Sequence, residues 1–283
     1  MIRAAGSRSS PRLACAAGVL TMLLACGACA RALSQPPPLI DPTNLTNAAA
    51  PHPEQVNSLL QQADVLYDAR TPQQVRQAAD LYLQAARADT RRAEGLVGNI
   101  RAMAWLIDHE DDAATRRRDA VRAVQAAQWC PQAAPGSAAC AYWLGAALGL
   151  QARERHATAL DALPQIEAAF KQAASLEPTL EQGGPDRALA LLYLRAPGWP
   201  TGPGDPDLGL EHARKAVALN PEYPPNQLAL AEALVATGDT DAGRKAYTRA
   251  IDLAHAMSAK AGPDAEDWIH EAQAALAAAS LGH

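Results

Sequence analysis

Five cysteines, seven histidines and an acidic run are the residues of this 283-residue chain that could do chemistry. Cys130 and Cys140 flank PQAAPGSAA, a turn-forming segment between two helical runs. In an oxidising compartment that spacing fits a disulfide; two reduced core cysteines are the alternative. A zinc site is disfavoured, because no other Cys and no paired His stands at ligand spacing. DHEDD (108–112) offers carboxylates to a metal, but it precedes ATRRRD and reads as a solvated, charge-paired turn. Asp161 and Glu167 read as lying on separate helical segments and make no acid/base pair. The histidines are scattered, and no Gly-rich phosphate loop opens a helix after a strand. The residues therefore point to binding without catalysis, with no metal or cofactor implied.

Cys26 is a different kind of site. Arg3, Arg8 and Arg12 begin the chain without an acid, and the apolar run LACAAGVLTMLLA (13–25) follows. That order is a secretory signal, and the run is too short to span a bilayer. LLAC (23–26) resembles a bacterial lipobox, in which cleavage precedes a lipidated Cys; an ordinary cleaved signal leaving Cys26 as a free thiol is the alternative. Gly27 after it resembles the default outer-membrane address. Residues 1–25 are thus expected to be a signal peptide. Residues 26–53 follow as a lipidated Cys with a Pro-rich tether. Removing the signal takes the formal charge from −5 to −8. No basic run remains that could serve a nucleic acid. Cys29 is left over in the tether.

From residue 54 the chain reads as helix, and small and large residues recur in it. AADLYLQAA contributes Ala78, Tyr82 and Ala85. IEAAFKQAASLEP contributes Ile166, Phe170, Ala173 and Pro178, and GLEHARKAVALNP contributes Gly209, Ala213, Ala216 and Pro221. GRKAYTRAIDLAH contributes Gly243, Tyr247 and Ala250, with His255 where Pro is usual. Leu144-Gly145 and Leu230-Ala231 stand at the pair that marks the first helix of a tetratricopeptide unit. Small residues let two helices approach, the large one fills the groove beside them, and Pro ends the pair. The expectation is an all-α, tetratricopeptide-like α-α superhelix over 54–283. It has four to five helix pairs, near 54–90, 91–131, 138–178, 185–221 and 224–257, and a capping helix near 263–281. Pro131, Pro178, Pro221 and His255 are expected at the ends of repeats.

RAPGWPTGPGDP (195–206) interrupts this pattern as an enlarged turn inside one pair, with Asp205 as N-cap and Pro206 opening the next helix. With its surroundings it carries a more specific likeness. Gly184, Pro185, Arg187, Ala188, Leu189, Leu192 and Tyr193 are followed by Ala196–Pro200, Gly204–Pro206, Pro221 and Tyr223–Asn226. The region 183–234 resembles the T-component (TatT) family associated with TRAP transporters, and WCPQAAPGSAACAYWLGAAL upstream is similar to it as well. The resemblance implies a non-enzymatic, lipid-anchored repeat protein on the periplasmic side of the outer membrane. Its implied partner is the extracytoplasmic solute-binding protein of a TRAP transporter. A bound ligand and a homo-oligomer are compatible with the resemblance. A general tetratricopeptide scaffold for envelope assembly or secretion is the alternative reading. Trp199, in a polar loop, could anchor a partner; the competing reading folds it back over the gap between repeats, its N–H on a carbonyl. Tyr193, Arg195, Tyr223 and Asn226 are the further candidates for partner or ligand contact.

Overall fold

Alanine favours helix without side-chain entropy cost, and this chain punctuates its alanine-rich runs with capping residues and prolines. The computed structural model describes residues 33, 35–39 and 52–281. Eleven α-helices form among them: α1 (Pro53–Asp68), α2 (Pro72–Ala88), α3 (Glu94–Asp108), α4 (Ala113–Ala133), α5 (Ala138–Glu154), α6 (Ala159–Leu176), α7 (Gly184–Arg195), α8 (Pro206–Leu219), α9 (Pro224–Ala236), α10 (Thr240–Ala261) and α11 (Pro263–Leu281). Side chains of Thr71, Asp112, Ser137, Asp205 and Asp239 accept backbone N–H groups at the starts of α2, α4, α5, α8 and α10. Each such cap satisfies donors that the helix itself cannot.

Consecutive helices pack on one another along the whole series, giving five pairs and a final α11. This is the tetratricopeptide-like solenoid that the repeat pattern implies. Within each of three pairs, glycine sits where side chains cross. A Cβ on Gly145 of α5 would stand 2.7 Å from the Phe170 ring of α6. One on Gly209 of α8 would stand 2.8 Å from Leu194, and one on Gly243 of α10 would stand 2.6 Å from Val235. Tyr82, Phe170 and Tyr247 fill the large positions and are buried, as is Ala213. The core runs through the stack, with one cluster from α1 to α7 and another from α9 to α11. Between them, Ala190, Ala213 and Ala233 close a smaller contact.

Three boundaries differ from expectation. His255 does not end a repeat, because without proline α10 keeps its hydrogen bonds until Gly262 turns the chain at φ 54°. Pro131 lies inside the last turn of α4, which runs on to Ala133. So near the helix end only one intrahelical bond is forfeited. Asp161 and Glu167 share one helix, α6, which continues through Pro164. Cys130 and Cys140 are bonded, with Cα atoms 5.4 Å apart, and tie the end of α4 to the start of α5. Among the described residues no helix is long and apolar enough to cross a membrane. Cys26 lies outside the described residues.

Candidate partner and ligand surfaces

The loop between α7 and α8 is braced by its own backbone. Gly204 N–H donates to Pro197 O at 2.9 Å, and Thr201 and Gly202 donate to Gly198 O. Asp205 N–H returns to Tyr193 O at 2.9 Å, and the Asp205 carboxylate accepts from Asp207 and Leu208 as the N-cap of α8. Gly204 has no room for a Cβ, which would run into the Ala196 carbonyl. The Trp199–Pro200 peptide bond is cis. Trp199 stands out from this frame 91% exposed, not folded back between repeats. A Cβ on Gly202 would crowd the Pro197 carbonyl at 2.7 Å and Leu163 of α6 at 3.0 Å, so the loop lies close against α6 there.

The other named residues separate into two groups. Tyr193 is buried, and its hydroxyl donates to Glu167 at 2.9 Å. Its ring stacks near His212, whose Nδ1 lies 2.7 Å from the Asp186 carboxylate. Asn226 is fully buried. Its NH2 group donates to the carbonyls of Gln182, Ala216 and Asn220, and its oxygen accepts from Arg187. A fully buried amide so engaged is a pin between repeats. Arg195 reaches from α7 to α9, where Nε and Nη2 grip the two oxygens of Glu232 at 2.9 and 2.7 Å. Burial, with the charges of Glu232 and Glu271 adding to it, pushes the pKa of the Tyr247 hydroxyl up to about 12.

Tyr223 belongs to an inward cluster that no single segment of sequence displays. Its ring meets Trp268 of α11 edge-on, with centroids 5.7 Å apart, and the Arg187 guanidinium lies 5.2 Å from its centroid. Arg187 donates to the carbonyl of Glu181. Glu181, Gln182 and Gly183 are three successive residues at positive φ, of 47°, 62° and 83°. Such a run is costly for the two non-glycine members. The Glu181 carboxylate enters no ion pair among the described residues, yet its charge acts on Tyr67, Arg101, Tyr142 and Tyr223. Burial raises the pKa of Tyr67, Tyr142 and Tyr223 alike, with arginines pulling the other way. The Arg101 guanidinium lies 4.5 Å from the Tyr67 ring centroid, and its buried Nε–H has no acceptor. The same guanidinium donates from Nη2 to the Tyr82 hydroxyl at 3.2 Å and lies 3.7 Å from the Asp64 carboxylate, so this partly desolvated cation is held by two rings and an acid.

A clasp joins the two ends of the solenoid beside this cluster. Arg70 follows α1 at φ 49°, lies 4.0 Å from the Tyr67 ring centroid and holds Asp264 of α11 at 3.1 Å. The other oxygen of Asp264 accepts the Trp105 indole N–H at 3.1 Å. His109 stacks on Trp105 with centroids 3.8 Å apart and faces Asp267 of α11 at 3.1 Å. Three of the four acids of 108–112 go their own ways: Asp108 to Arg153, Glu110 to Arg76, and Asp112 to the cap of α4. Sequence reasoning missed Tyr67, Arg70, Arg101, Glu181 and Asp264. Only Arg187 carried a signal, since it lies within the G-P-x-R-A-L match.

No protein-family model matches the chain, and no curated protein does. Solved structures do. TTC0263, a thermophilic TPR protein in Thermus thermophilus, aligns with a TM-score of 0.57 at 18% identity, covering 80% of this chain and 99% of that one. A fragment of MamA, 41-end from Desulfovibrio magneticus, aligns with a TM-score of 0.46 at 19% identity, covering 72% of this chain and 97% of its own. The first likeness agrees with the helix pairs described above: the fold is tetratricopeptide-like.

Proposed function

We propose that this chain is a non-enzymatic lipoprotein, anchored through Cys26 on the periplasmic side of the outer membrane. In this reading it serves as the accessory T component of a TRAP-type uptake system, and the extracytoplasmic solute-binding protein is its partner. The observation that carries the docking role is Trp199. Large exposed aromatics held on rigid frames are the residues that dominate protein interfaces. Here the frame is the A-P-G-W-P loop on which the family resemblance rests. The inward cluster supports a ligand role beside the docking role, because it gathers tyrosines and arginines behind a clasp.

The test is capture from the native envelope. The tagged lipoprotein should recover a TRAP solute-binding protein, and Trp199→Ala should lower that recovery at least about tenfold, as expected of an interface anchor. Recovery of outer-membrane assembly or secretion factors alone would replace this reading with the general scaffold. The closed clasp weighs against the scaffold, which calls for an open inner groove for an extended peptide.

A further inference from the structure

Leu33, Pro36 and Leu39 are spaced three residues apart, and they are the partly buried ones among the described residues of their segment. Gln35, Pro37 and Pro38 between them are exposed. A polyproline II helix repeats every three residues, so positions 33, 36 and 39 share one edge. Pro36, Pro37 and Pro38 preset φ for that helix and have no N–H to satisfy. Leu33 and Leu39 pack on the core cluster that runs from α1 to α7. From α4, Trp129 donates its indole N–H to the Pro37 carbonyl at 2.9 Å. An aromatic donor on a proline carbonyl, flanked by apolar contacts at three-residue spacing, is how proline-rich ligands are held in aromatic-lined grooves. Trp129 is itself well fixed, because Cys130 beside it is bonded to Cys140.

We propose that the Trp129 face of α4 is a docking surface for an extended proline-rich segment, and that its occupant is this chain's own segment 33–39. The segment acts as a clip that fastens the leader to the solenoid. The preset helix lowers the entropy lost on docking, which a Gly/Ser-rich leader would lose in full. A consequence follows for anchoring, and it alone rests on the lipidation proposed above. With the clip closed, the chain from Cys26 to Leu33 can span at most about 24 Å. With it open, the chain from Cys26 to the start of α1 could extend to roughly 90 Å. A closed clip therefore keeps the α4 face near the bilayer and limits how the solenoid can turn.

The clip is tested in the full chain by the solvent exchange of the Trp129 indole N–H, one of five indole signals, assigned with W129F. The triple variant P36G/P37S/P38G keeps the leader's length and leaves the helical domain untouched. It should speed exchange at Trp129 about tenfold or more, the factor for losing a hydrogen bond of ordinary net strength. The other four indole signals should not move. A synthetic peptide of residues 31–41 added to that variant should slow the exchange again, whereas a peptide with the same three substitutions should not. Equal exchange in the parent and the triple variant would overturn the clip, as would equal rescue by both peptides. Mass spectrometry of Cys26 separates the two ideas: a closed clip on an unlipidated chain keeps the docking surface and removes the membrane consequence.

Discussion

Arg70 and Asp264 are 194 positions apart in the chain and 3.1 Å apart in space. One ends the first helix of the stack and the other begins the last, so their pairing joins the two ends of the solenoid. Both side chains are about four-fifths buried, and Asp264 also takes the Trp105 N–H. Water therefore screens this pair less than an exposed one.

Asp264→Ala should open the clasp. Arg70 and Trp105 lose their acceptor together, at an expected cost of about 2–3 kcal/mol by analogy with other charge-assisted hydrogen bonds. Chemical denaturation measures that loss. Small-angle scattering should show a larger radius of gyration with helix content unchanged by circular dichroism. An unchanged radius would mean that packing and the remaining His109–Asp267 contact suffice to hold the ends together.

The glycine at the α5–α6 crossing has no spare volume. Gly145→Ala places a methyl 2.7 Å from the Phe170 ring, and Gly145→Leu forces the helices apart. Overpacking of this kind costs about 1–3 kcal/mol. Phe170→Ala errs in the other direction and should cost about 3–5 kcal/mol through the cavity it leaves. Denaturant midpoints of the variants check both values. The double variant should be less destabilised than the sum, because the two residues touch.

Reduction of Cys130–Cys140, or Cys130→Ser with Cys140→Ser, should lower stability by about 3 kcal/mol, the chain-entropy value for so short a loop. Melting with and without reductant measures it. The Trp129 indole should become less fixed in the same variant, since its helix end is no longer tied.

Stability should decline in acid, partly through Glu154. Burial opposes ionisation of this carboxyl, but hydrogen bonds from Arg116 and Arg153 outweigh it and hold the pKa below the ordinary value. A carboxyl held low in the folded state stabilises in full above the ordinary glutamate range near 4.3, and that contribution disappears as pH falls through the folded value. Glu154→Gln should therefore lower stability at neutral pH and flatten its decline below about pH 4, as read from denaturation at a series of pH values.

Much of the fold was legible because tetratricopeptide packing is local. Tyr82 and Phe170 meet Gly98 and Gly145 on neighbouring helices, so their spacing along the chain already encodes the contact. Asp205 and Pro206 set the start of α8 by chemistry confined to a few residues. The site was less legible. Trp199 could be singled out as an exposed-loop aromatic, but not its outward direction, which is set by how the whole loop is braced on its own backbone. Asn226 was a candidate contact because it belongs to the segment that carries the family resemblance, and its amide partners, backbone carbonyls at Gln182, Ala216 and Asn220, are not readable from that segment.

The sequence by itself determined the all-helical class, the pairing of neighbours, the Cys130–Cys140 spacing and the place of the long turn. Each depends on residues close in the chain. Only the tertiary structure decided that the ends of the solenoid meet, that Glu181 and Arg187 turn inward beside Tyr223, and that Pro37 lies under Trp129. The first arises from small rotations accumulated over five helix pairs, and the other two from contacts between segments distant in the chain; no local pattern of residue types records either.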